Sequence, residues 1–76
     1  MREHFNEGDV VYIEGEYYIY QGYLPQGGGN IILQFANANE TRGMTYETFK
    51  ELGGMILPPE ASPKVKKEGL SYVFVE

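Results

Sequence analysis

Residues 10–23 read VVYIEGEYYIYQGY, two β-branched and aromatic runs broken only by Gly15-Glu16. Such runs favour a pleated, half-buried surface. A glycine opening a two-residue loop suits a type II′ turn. The segment is therefore expected to form a β-hairpin, 10–14 against 17–23. Side chains alternate faces with a period of two, so register decides which of them meet. A two-residue loop pairs Glu14 with Tyr17 and Ile13 with Tyr18. Val11, Ile13, Tyr18 and Tyr20 then share one face, while Val10, Tyr12, Tyr17 and Ile19 share the other beside Glu14. A three-residue loop instead groups Val11, Ile13, Tyr17 and Ile19. Either register leaves at least two tyrosines on the face away from the core.

The rest of the chain is punctuated by turn signals. Residues 1–8 form a polar lead-in, and Asn6-Glu7-Gly8-Asp9 is a turn-forming cluster. Residues 24–29, with Pro25 and three successive glycines, are expected to be a loop. In 30–36, Ile31, Leu33 and Phe35 alternate with Ile32, Gln34 and Ala36, so the first set faces inward. Asn37-Ala38-Asn39 is a turn. Residues 40–44 are a weaker strand, where Gly43 marks a bulge or a close approach. Thr45 is placed to cap a helix over 46–52, with Tyr46, Phe49 and Leu52 at helical spacing and Gly53-Gly54 beyond its end. Residues 55–57 are a short apolar run. Residues 58–63 are proline-rich and expected in polyproline II. Residues 64–69 are a charged turn or loop, and 70–75 are a terminal strand. The expectation is one mostly-β domain over residues 1–76, a small five- to six-stranded barrel or two-sheet roll with one short helix at about residues 46–52.

Gly8-Asp9-Val10-Val11-Tyr12, ahead of a hairpin and a tyrosine-rich second strand, resembles the start of many Src-homology-3-like small barrels, Tudor and ribosomal-type relatives among them. A short helical turn before the last strand is similar too. The resemblance implies a small barrel over residues 8–75 and carries over no functional residue. The peptide-binding members hold a tryptophan in their groove, and this chain has none. The nucleic-acid-binding members are basic, and this chain is acidic.

Charge and composition narrow the function. The formal net charge is −5, and residues 1–38 hold one base against five acids. Nucleic-acid binding draws on cations placed against phosphates, so nucleic acid is an unexpected partner. The same field favours a basic partner. There is no cysteine, which excludes disulfides, thiol nucleophiles and thiolate metal sites. No apolar run is long enough for a membrane helix and no secretory signal opens the chain, so the cytoplasm is the expected compartment. The only histidine, His4, lies near the terminus, and no catalytic spacing accompanies it. Glu3, His4, Glu7 and Asp9 match neither a zinc nor a calcium pattern. No catalytic residue, metal or cofactor is expected.

The tyrosines are the strongest compositional signal: seven in 76 residues, five of them within 12–23. Tyrosine offers a large contact area with a polar tip at low entropy cost. Aromatic faces beside carboxylates suit a cation or a proline-rich peptide. The candidate partner-binding residues are Tyr12, Glu14, Glu16, Tyr17, Tyr18, Tyr20 and Tyr23. The expected function is a non-catalytic module recognising a protein or peptide, a basic one, through this hairpin. Its size and charge also fit small inhibitors encoded by phages and mobile elements. The alternative is an oligomer that binds a small ligand or nucleotide through the glycine run, the tyrosines and Arg42, Lys64, Lys66 or Lys67. A homodimer is compatible with the β-rich edges.

Overall fold

The computed structural model describes residues 5–25 and 27–75. Strands β1 (Val10–Ile13) and β2 (Glu16–Pro25) form the expected hairpin and continue through β3 (Ile31–Ala36) and β4 (Thr41–Met44). A short helix α1 (Tyr46–Glu51) follows, and β5 (Met55–Ile56) returns to pair with β1. The result is a five-stranded antiparallel sheet in the order β4-β3-β2-β1-β5. A second sheet holds β6 (Val65–Glu68) and β7 (Ser71–Phe74). Of the two architectures expected, the chain takes the open two-sheet form and does not close into a barrel. The two edges of the large sheet, β4 and β5, are four and two residues long, short enough to limit stray strand pairing.

The hairpin register differs from both expected ones. Tyr12 faces Tyr17, Ile13 faces Glu16, and the loop is Glu14-Gly15. Glu14 and Gly15 have φ of 50° and 86°, the positive pair that a type I′ turn requires. The shift from the expected two-residue loop is two positions. An even shift preserves the faces, so Val11, Ile13, Tyr18 and Tyr20 still share the inner one. Beyond Tyr20 the register slips, leaving Gln21 unopposed as a bulge. The extra residue reverses the alternation, so Tyr23, opposite Leu33, returns to the face of Tyr20.

The core lies between the inner face and α1. Val11, Ile13, Tyr18, Tyr20, Leu33, Phe35, Met44 and Phe49 are buried together. Thr45 caps α1, its hydroxyl accepting from the Thr48 N–H at 3.2 Å, and Phe49 sits under the helix with its ring stacked on Phe35 at 5.4 Å. Gly54 lies so close to the Phe49 ring that a Cβ there would overlap it. The lead-in is docked from Phe5 onward: its ring lies 5.1 Å from Tyr20 and 5.4 Å from Phe49. Asn6 and Asp9 close the turn before β1, with Asp9 N–H donating to the Asn6 carbonyl at 2.9 Å.

Three local expectations are corrected. Residues 64–69 are mostly strand, because Lys67 and Tyr72 stand opposite each other and the Lys67 ammonium lies 5.7 Å from the Tyr72 ring centre. Pairing with β7 overrides the weak strand preference of Lys and Glu. The proline-rich segment contains a 3-10 turn at Pro59–Ala61. Leu70 lies outside the terminal strand, at the tip of the β6–β7 turn, and is 95% exposed.

Candidate functional site

The five candidate tyrosines separate into three places, while Glu14 sits in the β1–β2 turn and Glu16 opens β2 opposite Ile13. Tyr18 and Tyr20 are core, 1% and 4% exposed, and their rings are withdrawn from any recognition surface. The cause is the cover supplied by Phe5 and α1, which puts the inner face of the hairpin under the aromatic cluster. Tyr12 and Tyr17 stay on the outer face, 38% and 45% exposed. Tyr23 lies near the far end of β2, on the face of Tyr20 but exposed, next to exposed Leu24.

Tyr18 has a structural duty. Its hydroxyl donates to the Glu40 carboxylate, and the Arg42 guanidinium lies 5.8 Å from its ring centre. Arg42 also bridges to Glu14 at 3.0 Å. This chain of contacts ties the β1–β2 turn to β4. Burial pushes the Tyr18 phenol above its ordinary pKa, and the Glu40 hydrogen bond adds to that. Arg42 is held still more firmly in its charged form, first by Tyr18 and then by Glu14.

Tyr12 and Tyr17 form a cross-strand pair, with ring centres 5.2 Å apart and planes at 62°. On its other side Tyr12 faces Met55, which is 54% exposed. Met55, Tyr12 and Tyr17 thus make an exposed ledge across β5, β1 and β2, next to the acidic Glu14-Gly15-Glu16 turn. Met55 was not among the residues the sequence singles out; its place beside Tyr12 depends on β5 returning to β1. Three tyrosine rings elsewhere carry a cation: Arg42 by Tyr18, Lys50 by Tyr46 and Lys67 by Tyr72. Among the described residues, no cation lies over Tyr12 or Tyr17.

Beside the ledge is a cleft of about 780 Å3 between the outer face of the large sheet and the β6–β7 hairpin. Ile19 and Ala36 line it from the sheet, and Leu70, Val73 and Phe74 from the hairpin. Gln21 anchors the hairpin there. Its amide donates to the Tyr72 carbonyl and accepts from the Tyr72 N–H, both at 2.8 Å. Lys66 lines the cleft and pairs with Glu68 at 3.5 Å. The glycine run, Arg42, Lys64 and Lys67 are not among its lining residues, so the components of the nucleotide-site alternative are not gathered in one place. This cleft was invisible in the sequence, because its second wall is a hairpin whose first strand falls in the segment expected to be a charged loop.

His4 and Glu3 lie outside the described residues. Among the described residues no three His, Cys, Asp or Glu side chains are grouped as metal ligands, and no helix is long and apolar enough to cross a membrane. No family model, curated protein or solved structure matches the chain.

Proposed function

We propose that the chain is a non-catalytic binding module that recognises a basic protein or peptide through Tyr12, Tyr17 and Met55. The observation that carries this reading is the exposed edge-to-face pair of Tyr12 and Tyr17 beside an acidic turn. A ring face attracts a cation by about 0.5–1 kcal/mol at exposed sites and more once water is excluded. Among the described residues, Arg42, Lys50 and Lys67 lie by the rings of Tyr18, Tyr46 and Tyr72, and Lys66 pairs with Glu68. Glu16 has no ion-pair partner among the described residues. A basic partner would complement both features, and the net charge of −5 would speed its approach. A role as a small inhibitor that covers the basic surface of another protein agrees with this chemistry.

The test is binding of fluorescent Lys- and Arg-containing peptides at low and moderate salt. Binding should weaken with salt and drop several-fold in Tyr12→Ala and Tyr17→Ala. Salt-insensitive binding, or binding unchanged in both variants, would sink the reading. The small-ligand alternative draws support from the cleft itself. A nucleotide that raises the melting temperature would favour it.

A further inference from the structure

We infer that the peptide read by the Tyr12–Tyr17 ledge continues into the adjacent cleft and places a bulky apolar side chain there, two residues from its cation. This rests on the reading just given and specifies its partner: an extended segment of the pattern cation–any–large apolar.

Ledge and cleft are parts of one face. Tyr17 and Ile19 are two residues apart on β2, on the same side of the sheet, and Ile19, 0% exposed, lies beneath the cleft as its buried floor. Two strand residues span roughly 6.6–6.8 Å. The Asn37 amide donates to the Tyr17 carbonyl at 2.9 Å, and both Asn37 and Ala38 line the cleft. An extended peptide has the same two-residue spacing, so its alternate side chains match the interval from ledge to cleft.

The chemistry of the cleft selects an apolar group rather than a second charge. Ile19, Ala36, Leu70, Val73 and Phe74 supply its apolar walls. Leu70, 95% exposed in the free chain, stands at the rim, where an incoming side chain would cover it. Lys66 is neutralised by Glu68, so the cleft presents no free cation to an anion. The half-buried Gln34 side chain lines the cleft and has no hydrogen-bond partner among the described residues. It offers a donor and an acceptor to a peptide backbone. The volume lies inside the ordinary range of ligand pockets, roughly 300–1,000 Å3, with room for a large side chain and its backbone.

Fluorescence anisotropy with the full chain tests this, using four labelled peptides: Lys-x-Phe, Lys-x-Ala, Ala-x-Phe and Lys-x-x-Phe. Lys-x-Phe should bind about tenfold or more tighter than Lys-x-Ala, the scale of burying one aromatic side chain. It should also surpass Lys-x-x-Phe, whose apolar group falls on the opposite side. Leu70→Ser, at a position too exposed to affect folding, and Ala36→Phe, which fills the cleft, should each shrink the Lys-x-Phe advantage several-fold. Tyr12→Ala should weaken Lys-x-Phe and Lys-x-Ala alike. Equal binding of those two peptides, with dependence on Tyr12 retained, would overturn this inference and leave the ledge reading standing. Absence of binding by every peptide, or binding indifferent to lysine and to Tyr12, would overturn both.

Discussion

Gln21 and Tyr72 exchange two hydrogen bonds of 2.8 Å, the side-chain amide of one against the backbone of the other. The amide imitates a neighbouring strand. It can do so because Gln21 is the unopposed residue of the β2 bulge. Removing it leaves a half-buried N–H and C=O unpaired, at a cost of about 1–2 kcal/mol. Gln21→Ala should lower stability by that amount in urea unfolding and speed hydrogen exchange at the Tyr72 amide. Gln21→Glu keeps an acceptor and loses the donor, so it should fall between the two. An unchanged exchange rate at Tyr72 would refute the clamp.

Alkaline stability should depend on two buried phenols. Burial, then the Glu40 hydrogen bond, raises the pKa of Tyr18; burial, then the charge of Glu7, raises that of Tyr20. The unfolded chain therefore releases these protons at lower pH than the folded chain. The stabilisation is fully present below about pH 10 and is lost as pH rises through the folded-state values. Urea midpoints measured across this range should fall steeply in the parent chain. The double variant Tyr18→Phe, Tyr20→Phe should show a flatter decline and a lower starting stability, because the Tyr18–Glu40 bond is gone.

Gly53 and Gly54 should respond differently to the same substitution. Gly53 has φ of +77° and open space where a Cβ would be, so Gly53→Ala costs only the left-handed backbone penalty of about 1–2 kcal/mol. At Gly54 a Cβ would overlap the Phe49 ring, which is 2% exposed. Gly54→Ala must displace that ring from the aromatic cluster, at about 1–3 kcal/mol of overpacking. Pairing each with Phe49→Leu separates the mechanisms in thermal melts. The Gly54 variant should be non-additive with Phe49→Leu, and the Gly53 variant additive.

Glu14 occupies a turn position at φ of 50° and bridges to Arg42 through side chains that are 52% and 28% exposed. The backbone penalty, about 1–2 kcal/mol for an ordinary residue, exceeds an exposed ion pair of about 0–1 kcal/mol. Glu14→Asn, which favours this turn, should therefore raise the melting temperature.

Strands β1 to β4, the inner face of β3 and the helix with its Thr45 cap were legible in the sequence, because period and capping are local signals. The hairpin register was not. Gly15 pointed to the loop, but nothing marked Glu14 as its partner in positive φ. The sorting of tyrosines into core and surface also depended on distant chain: Phe5 and α1 cover Tyr18 and Tyr20, and β5 brings Met55 to Tyr12. The cleft required β6, whose Val-Lys-Lys-Glu pattern becomes a strand only when β7 is present to pair with it.

Every ladder in the two sheets except β1–β5 joins strands that are neighbours along the chain. Loop closure is the slow, entropically costly part of assembling β-structure. Among the strand pairings this connectivity leaves one long-range event, the return of β5 to β1, beside the docking of the β6–β7 hairpin through Gln21 and Tyr72. The molecule can therefore zip outward through successive local hairpins, and the same late step that completes the sheet also delivers Met55 to the side of Tyr12.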